Sequence, residues 1–241
     1  MANPTEQFSV KPLIPLEIGG YDVSFTNSSL FMVLAVICVT TLFACCLRNR
    51  SIIPSKAQCI PEAAYGFIAS IIKDNIGVEG LKYFCLIFCI FLFVAFGNLL
   101  GMFPYAFTFT SHLAAVGGLS IIGLIFNICI GIRKKKLAWL RTFFPKGIPW
   151  LLAPVMVPIE IISFLSKPFS MTVRLVANMT VGHIMLKIIG GFIVPLGLLG
   201  GFIPMAFDGC IIVFEIFIAF LQAFIYTVLS CIYLGDALHS H

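Results

Sequence analysis

The sequence predicts an all-α protein that crosses a membrane about five times, and three observations carry that expectation. Of its 241 residues, 60% are hydrophobic and only 10% are charged, where a soluble domain carries about a quarter. Several windows approach the ~20 apolar residues that a bilayer span needs. Basic residues crowd the ends of those windows, as in Arg48, Arg50 and the run Arg133-Lys134-Lys135-Lys136, which is how a membrane chain is oriented. The net charge of +5 is thus placed for lipid and not for nucleic acid.

The elements follow in order. Residues 1–29 set Lys11 against Glu6, Glu17 and Asp22 with no apolar core, so neither a secretory signal nor a transit peptide is expected. This segment is read as lying on the outer side. Thr26-Asn27-Ser28-Ser29 supplies N-cap oxygens to a first span at 30–47. Residues 61–76 read as a surface amphipathic helix, with Pro61 in its first position and Glu62 in its first turn. Further spans are expected at 84–103, ended by Pro104, and at 113–132, ended by the basic run.

Lys and Arg alternate between loops: five in 48–83, none in 104–112 and six in 133–148. The second loop therefore faces outside and the other two inside. Beyond 149 the chain is one long apolar stretch punctuated by proline. A short Pro-rich membrane segment at 149–167, a break at Pro168, and helices at 169–194 and 205–235 give a long, tilted hairpin. The whole of 1–241 is expected to form a single integral membrane domain.

Eight of the nine cysteines lie in or beside apolar spans, where free Cys packs as a small hydrophobe. No disulfide framework, metal site or cofactor is expected.

Charged groups inside a span cost at least ~2.5–3.5 kcal/mol, which makes each a functional candidate. The last third holds Glu160, Arg174, Lys187, Asp208 and Glu215, with Asn178, His183 and Gln222 among them. At ~100° per residue, Arg174 and Asn178 share one face of their helix, and His183 and Lys187 share the opposite one. Asp208, Glu215, Gln222 and Tyr226 form a stripe on the last helix. In an antiparallel hairpin, residues at one level have numbers that add to a constant. That rule pairs Arg174 with Gln222, His183 with Glu215 and Lys187 with Asp208. A histidine level with a membrane carboxylate is a proton-relay candidate. Two faces of one helix cannot both meet one stripe, so Arg174 is expected to look toward a third element.

The run Ser-Lys-Pro-Phe-Ser-Met-Thr-Val-Arg-Leu-Val-Ala-Asn-Met-Thr-Val-Gly-His at 166–183 resembles the signature of subunit a (subunit 6) of the F-type ATP synthase. Glu215 followed by Leu221-Gln222-Ala223-Phe224-Ile225-Tyr226 is similar to that family's final helix. Ser24-Phe25-Thr26-Asn27-Ser28-Ser29 and Asn98-Leu99-Leu100-Gly101-Met102-Phe103-Pro104-Tyr105 resemble its alphaproteobacterial and mitochondrial branch. The resemblance implies a stator that conducts protons through two offset half-channels, to and from carboxylates on a rotating ring of c subunits, beside peripheral-stalk b subunits. Arg174 then matches the essential charge between the half-channels. Its guanidinium stays charged, attracts only an ionised ring carboxylate, and blocks direct leakage.

His183 and Glu215 match the outer half-channel pair, and Glu160 a carboxylate of the inner one. Asn178, Gln222 and Asn98 match polar support. Gly101 stands where some bacterial members carry an acid. The implied location is the bacterial inner (plasma) membrane, with the mitochondrial inner membrane as second choice, and the implied cargo is the proton. The competing class, a stand-alone proton-coupled secondary transporter or channel, commonly carries internal repeats, which this sequence lacks. An intramembrane hydrolase would need a Ser–His or metal constellation, and His183 has no partner at that spacing.

Overall fold

In hydrocarbon every backbone N–H and C=O has to be satisfied within the chain, which leaves helices as the spanning element for so apolar a sequence. The computed structural model describes residues 10, 12–15, 17, 18, 21, 22, 24–48, 51, 54–103, 107–136 and 153–239. Five of its helices are long and apolar enough to cross a membrane, which bears out the all-α, polytopic class. Two short antiparallel pairings precede them, β1 (Pro12–Ile14) with β4 (Phe25–Thr26) and β2 (Glu17–Ile18) with β3 (Tyr21–Asp22).

Helix α1 spans Asn27–Cys46. Thr26 Oγ1 caps it by accepting from the Ser29 amide at 3.4 Å, the use foreseen for the polar run at 26–29. Helix α2 spans Cys59–Ile76 and stops at Gly77, whose φ of 86° suits a residue without a Cβ. A 3-10 turn at Val78–Tyr83 leads into α3 (Phe84–Gly101). Helix α4 runs over Leu113–Lys135, so the basic run does not end it at 132. Lys134 instead reaches Glu79 at 2.6 Å, an exposed pair. The loop expected over 133–148 lies mostly outside the described residues.

The largest departure is in the C-terminal third. A single helix, α5, covers Ala153–Ile193 with Pro158 and Pro168 inside it. The break expected at Pro168, and with it a separate segment at 149–167, is therefore corrected from 153 onward; 149–152 lie outside the described residues. A proline costs a helix one hydrogen bond, about 3 kcal/mol in water, but membrane helices tolerate it where Ser and Thr hydroxyls re-satisfy the backbone. Hydroxyls do bond the backbone close by, Thr172 Oγ1 to the Pro168 carbonyl at 2.9 Å and Ser166 Oγ to the Ser163 carbonyl at 2.9 Å, although the carbonyls that Pro168 and Pro158 deprive of a helical amide are those of residues 164 and 154. A turn containing α6 (Gly197–Gly200) joins α5 to α7 (Phe202–His239). Pro204 sits in the first turn of α7, where its missing N–H costs nothing.

The chain divides into two compact units interleaved in sequence. The first comprises Met1–Ala44, Leu92–Val116 and Arg174–Ala223; the second comprises Cys45–Phe91, Gly117–Val173 and Phe224–His241. In the second, the apolar face of α2 (Ile68, Ile71, Ile72, Ile76) packs with Ile87, Ile130, Cys231, Leu234 and Leu238. In the first, Ala35 of α1 meets Phe107 and Phe109 of the loop between α3 and α4, with Phe31, Phe93 and Leu100 around them.

That loop ends in His112, whose ring stacks on Phe107 at 4.8 Å and whose Nε2 is buried without a partner. Burial holds its imidazole below the usual histidine range. The unfolded chain therefore takes up this proton first. The stabilisation from the neutral ring is complete above about pH 6.5 and is lost as pH falls through the folded value. Amide hydrogen exchange across 107–112, corrected for its intrinsic rate, is expected to accelerate as pH is lowered below about 6.5, and His112→Phe is expected to flatten that dependence.

Candidate functional site

Within the first unit, α5 and α7 run antiparallel, and their polar residues meet at matching levels. Gln222, 4% exposed, points its Nε2 at the backbone carbonyl of Arg174 at 3.5 Å. A Cβ on Gly182 would overlap the carboxylate of Glu215, and one on Gly190 would lie 3.4 Å from Asp208 Oδ2. The stripe on α7 is thus turned inward: Asp208 and Glu215 are half-buried, while Gln222 is buried. Asp208 lies against Gly190, a position three residues beyond the Lys187 expected opposite it.

His183 is level with Glu215, as the hairpin arithmetic requires, but its ring is engaged elsewhere. Its Nε2 lies 3.1 Å from Oγ1 of Thr108 in the α3–α4 loop. The reason is geometric. Neighbouring residues on a helix point ~100° apart, so Gly182 faces the carboxylate and His183 turns toward the loop. Thr108 also donates to the Gly101 carbonyl at 3.0 Å. This close approach needs a glycine, because a Cβ at Gly101 would come 2.5 Å from Thr108 Cγ2.

Asn98, fully buried on α3, donates from Nδ2 to the Ala219 carbonyl at 3.3 Å, one turn beyond Glu215 on α7. Its Oδ1 has no protein partner, and the same holds for Thr110 Oγ1, His112 Nε2, Asp208 Oδ1 and Glu215 Oε2. These five, the orphaned atoms found among the described residues, belong to the first unit. A buried polar group left unpaired costs ~1–3 kcal/mol, and ordered water is what ordinarily satisfies it.

Arg174 and Asn178 behave differently. Both side chains are exposed on α5, on a face continued by Val181 and Met185. The neighbouring helix is exposed along Phe214, Phe217 and Leu221. Glu160, half-buried on α5, belongs to the second unit and is not among the residues brought together here.

In that second unit lies a group the sequence reading did not single out. Ser120 Oγ of α4 stands 3.0 Å from Thr172 Oγ1 of α5 and accepts from the Tyr226 hydroxyl of α7 at 3.3 Å. Thr108 was missed as well. Hydroxyl residues are common in any sequence, and no period links 108 to 183 or 120 to 172. The one available signal was Tyr226, placed at the end of the α7 stripe.

A family model described as ATP synthase A chain matches residues 29–235. The protein named ATP synthase subunit a of Rhodospirillum rubrum is 49% identical over 241 residues, with all of both chains covered. The one of Paramagnetospirillum magneticum is 49% identical over 247 residues, again covering all of both. That of Mesorhizobium japonicum is 45% identical over 243, covering 98% of this chain and 96% of its own. With a match of this extent, the chain belongs to the ATP synthase A chain family, an integral membrane subunit serving proton transport in ATP synthesis and not itself the catalytic part.

Proposed function

We propose that this chain is the stator of the proton path in the membrane sector of ATP synthase. It passes protons through two half-channels to and from the carboxylates of a rotating c ring, in the bacterial inner membrane and beside peripheral-stalk b subunits. The observation that carries this reading is the exposure of Arg174 on an otherwise apolar helix face. A guanidinium cannot rest against lipid without a cost of at least ~2.5–3.5 kcal/mol, so that face calls for a partner with negative charge at membrane depth. A ring of carboxylates sliding past supplies it. A stand-alone transporter would turn its essential cation inward, onto its own carboxylates.

The division of labour follows. Arg174 stays charged at any working pH. It attracts a ring carboxylate only when that group has lost its proton, and it separates the two half-channels. Asn178, one turn along, extends the polar strip, and Gln222 ties the Arg174 backbone to α7. The orphaned atoms at Asn98, Thr110, His112, Asp208 and Glu215 line the outer half-channel, where water hydrates them and carries protons toward His183 and Glu215. Glu160 serves the inner half-channel.

In membrane vesicles, Arg174→Ala is expected to lower ATP-driven proton pumping at least ~100-fold, the order seen when an electrostatic stabiliser is removed. Pumping at the unmodified rate would remove the central assignment. His183→Glu and Glu215→His should each abolish most pumping, and the double exchange should restore a substantial part, because it keeps one imidazole and one carboxylate at that level. Gly182→Ala should turn the Glu215 carboxylate away from α5 at the end of its flexible side chain, read as reduced pumping with little change in the thermal inactivation temperature of the purified complex.

A further inference from the structure

We infer that Thr108 is a positioning residue that holds His183 in a single tautomer, so that only its Nδ1 exchanges the transported proton. The inference rests on the half-channel reading above and adds the atom at which the relay works.

The argument is one of hydrogen counting. A threonine hydroxyl owns one hydrogen and can accept through its lone pairs. Thr108 Oγ1 lies 3.0 Å from the Gly101 carbonyl and 3.1 Å from His183 Nε2. A carbonyl only accepts, so the Thr108 hydrogen belongs to Gly101. The contact to His183 then holds a hydrogen only if Nε2 supplies it. Thr108 is buried, in an environment where leaving a polar contact unmade is costly. The Gly101 carbonyl belongs to the last residue of α3, where a helix leaves its carbonyls without intrahelical donors, so this acceptor stands ready for the hydroxyl.

With the hydrogen on Nε2, a neutral imidazole carries its lone pair on Nδ1, and whatever group meets Nδ1 finds an acceptor there. An arriving proton binds Nδ1 and gives the imidazolium, with both nitrogens donating. Its departure from Nδ1 restores the same neutral tautomer. The Nε2–H bond stays intact throughout, and one proton enters and one leaves. Without Thr108, Nε2 loses the acceptor that holds its hydrogen, and any fraction of the neutral ring with the hydrogen on Nδ1 cannot accept the incoming proton there.

The test uses the assembled ATP synthase, with this chain's histidines labelled with nitrogen-15 and the His183 signals identified by their loss in His183→Gln. In the neutral ring of the unmodified protein and of Thr108→Ser, nitrogen NMR is expected to show hydrogen on Nε2 and none on Nδ1. Thr108→Val, which keeps the shape and loses the hydroxyl, should show a mixture of tautomers. Its ATP-driven pumping should fall roughly tenfold or more, the range for a lost hydrogen bond to an ionisable group, with Thr108→Ser restoring most of it. Equal complex yield for the two variants separates this from a folding defect. Hydrogen on Nδ1 in the unmodified protein, or an unchanged tautomer and pumping rate in Thr108→Val, would overturn the inference. If His183→Gln itself pumps normally, it is the half-channel reading that fails.

Discussion

Glu215 is a carboxylate inside an apolar helix, and it is met across the hairpin by a residue with no side chain. The contact with Gly182 is so close that a single added carbon would overlap the carboxylate. That approach marks the level at which α5 meets α7 within the first unit, and a larger residue at 182 would have to turn the Glu215 carboxylate aside. Once Gly182 and Glu215 are level, the antiparallel geometry brings Gln222 to the Arg174 carbonyl and Asp208 to Gly190. The rest of the site follows from rotation about α5. His183, one residue on, is carried ~100° round to the loop and Thr108. Arg174 presents its backbone to α7 and its guanidinium outward.

Much of this was legible in the sequence because it depends on period and count. The stripe at 208, 215 and 222 and the constant-sum rule place the levels of the hairpin before any coordinate is seen. The polar run at 26–29 announces the cap of α1 in the same way. The break expected at Pro168 fails for a physical reason. Pro168 reads as a break by rules learned in water, where the freed carbonyl can turn to solvent. Inside a membrane no such solvent exists, the helix is the least costly arrangement for the remaining backbone, and hydroxyls such as Thr172 supply bonds along it. Asp208 comes against Gly190, within one turn of Lys187.

Thr108 and Ser120 were illegible for a different reason. Each acts across the fold, on a partner far away in the chain, and no local pattern marks a hydroxyl as a hydrogen-bonding partner. Tyr226 shows the limit of periodic reasoning. Its position on the stripe was visible, but its bond to Ser120 depends on α4 packing beside α7.

The distribution of unsatisfied atoms bears on what the first unit is built to do. A structural carboxylate in lipid would be expected to have each oxygen hydrogen-bonded, since a buried charge is tolerated only when paired. Glu215 Oε2 and Asp208 Oδ1 break that expectation, and the buried amide oxygen of Asn98 is left unpaired beside them. Full pairing would hold Glu215 in one protonation state and make proton exchange slow. Leaving these oxygens to water would lower stability by a few kcal/mol at most, and on the proposed reading it lets the carboxylate gain and lose a proton without dismantling a network. On the reading proposed above, Arg174 needs the opposite treatment, a charge that never changes and faces a partner that moves. Its exposed place on α5, with its carbonyl tied to Gln222, suits that proposal by leaving the guanidinium available while the helix beneath it is held.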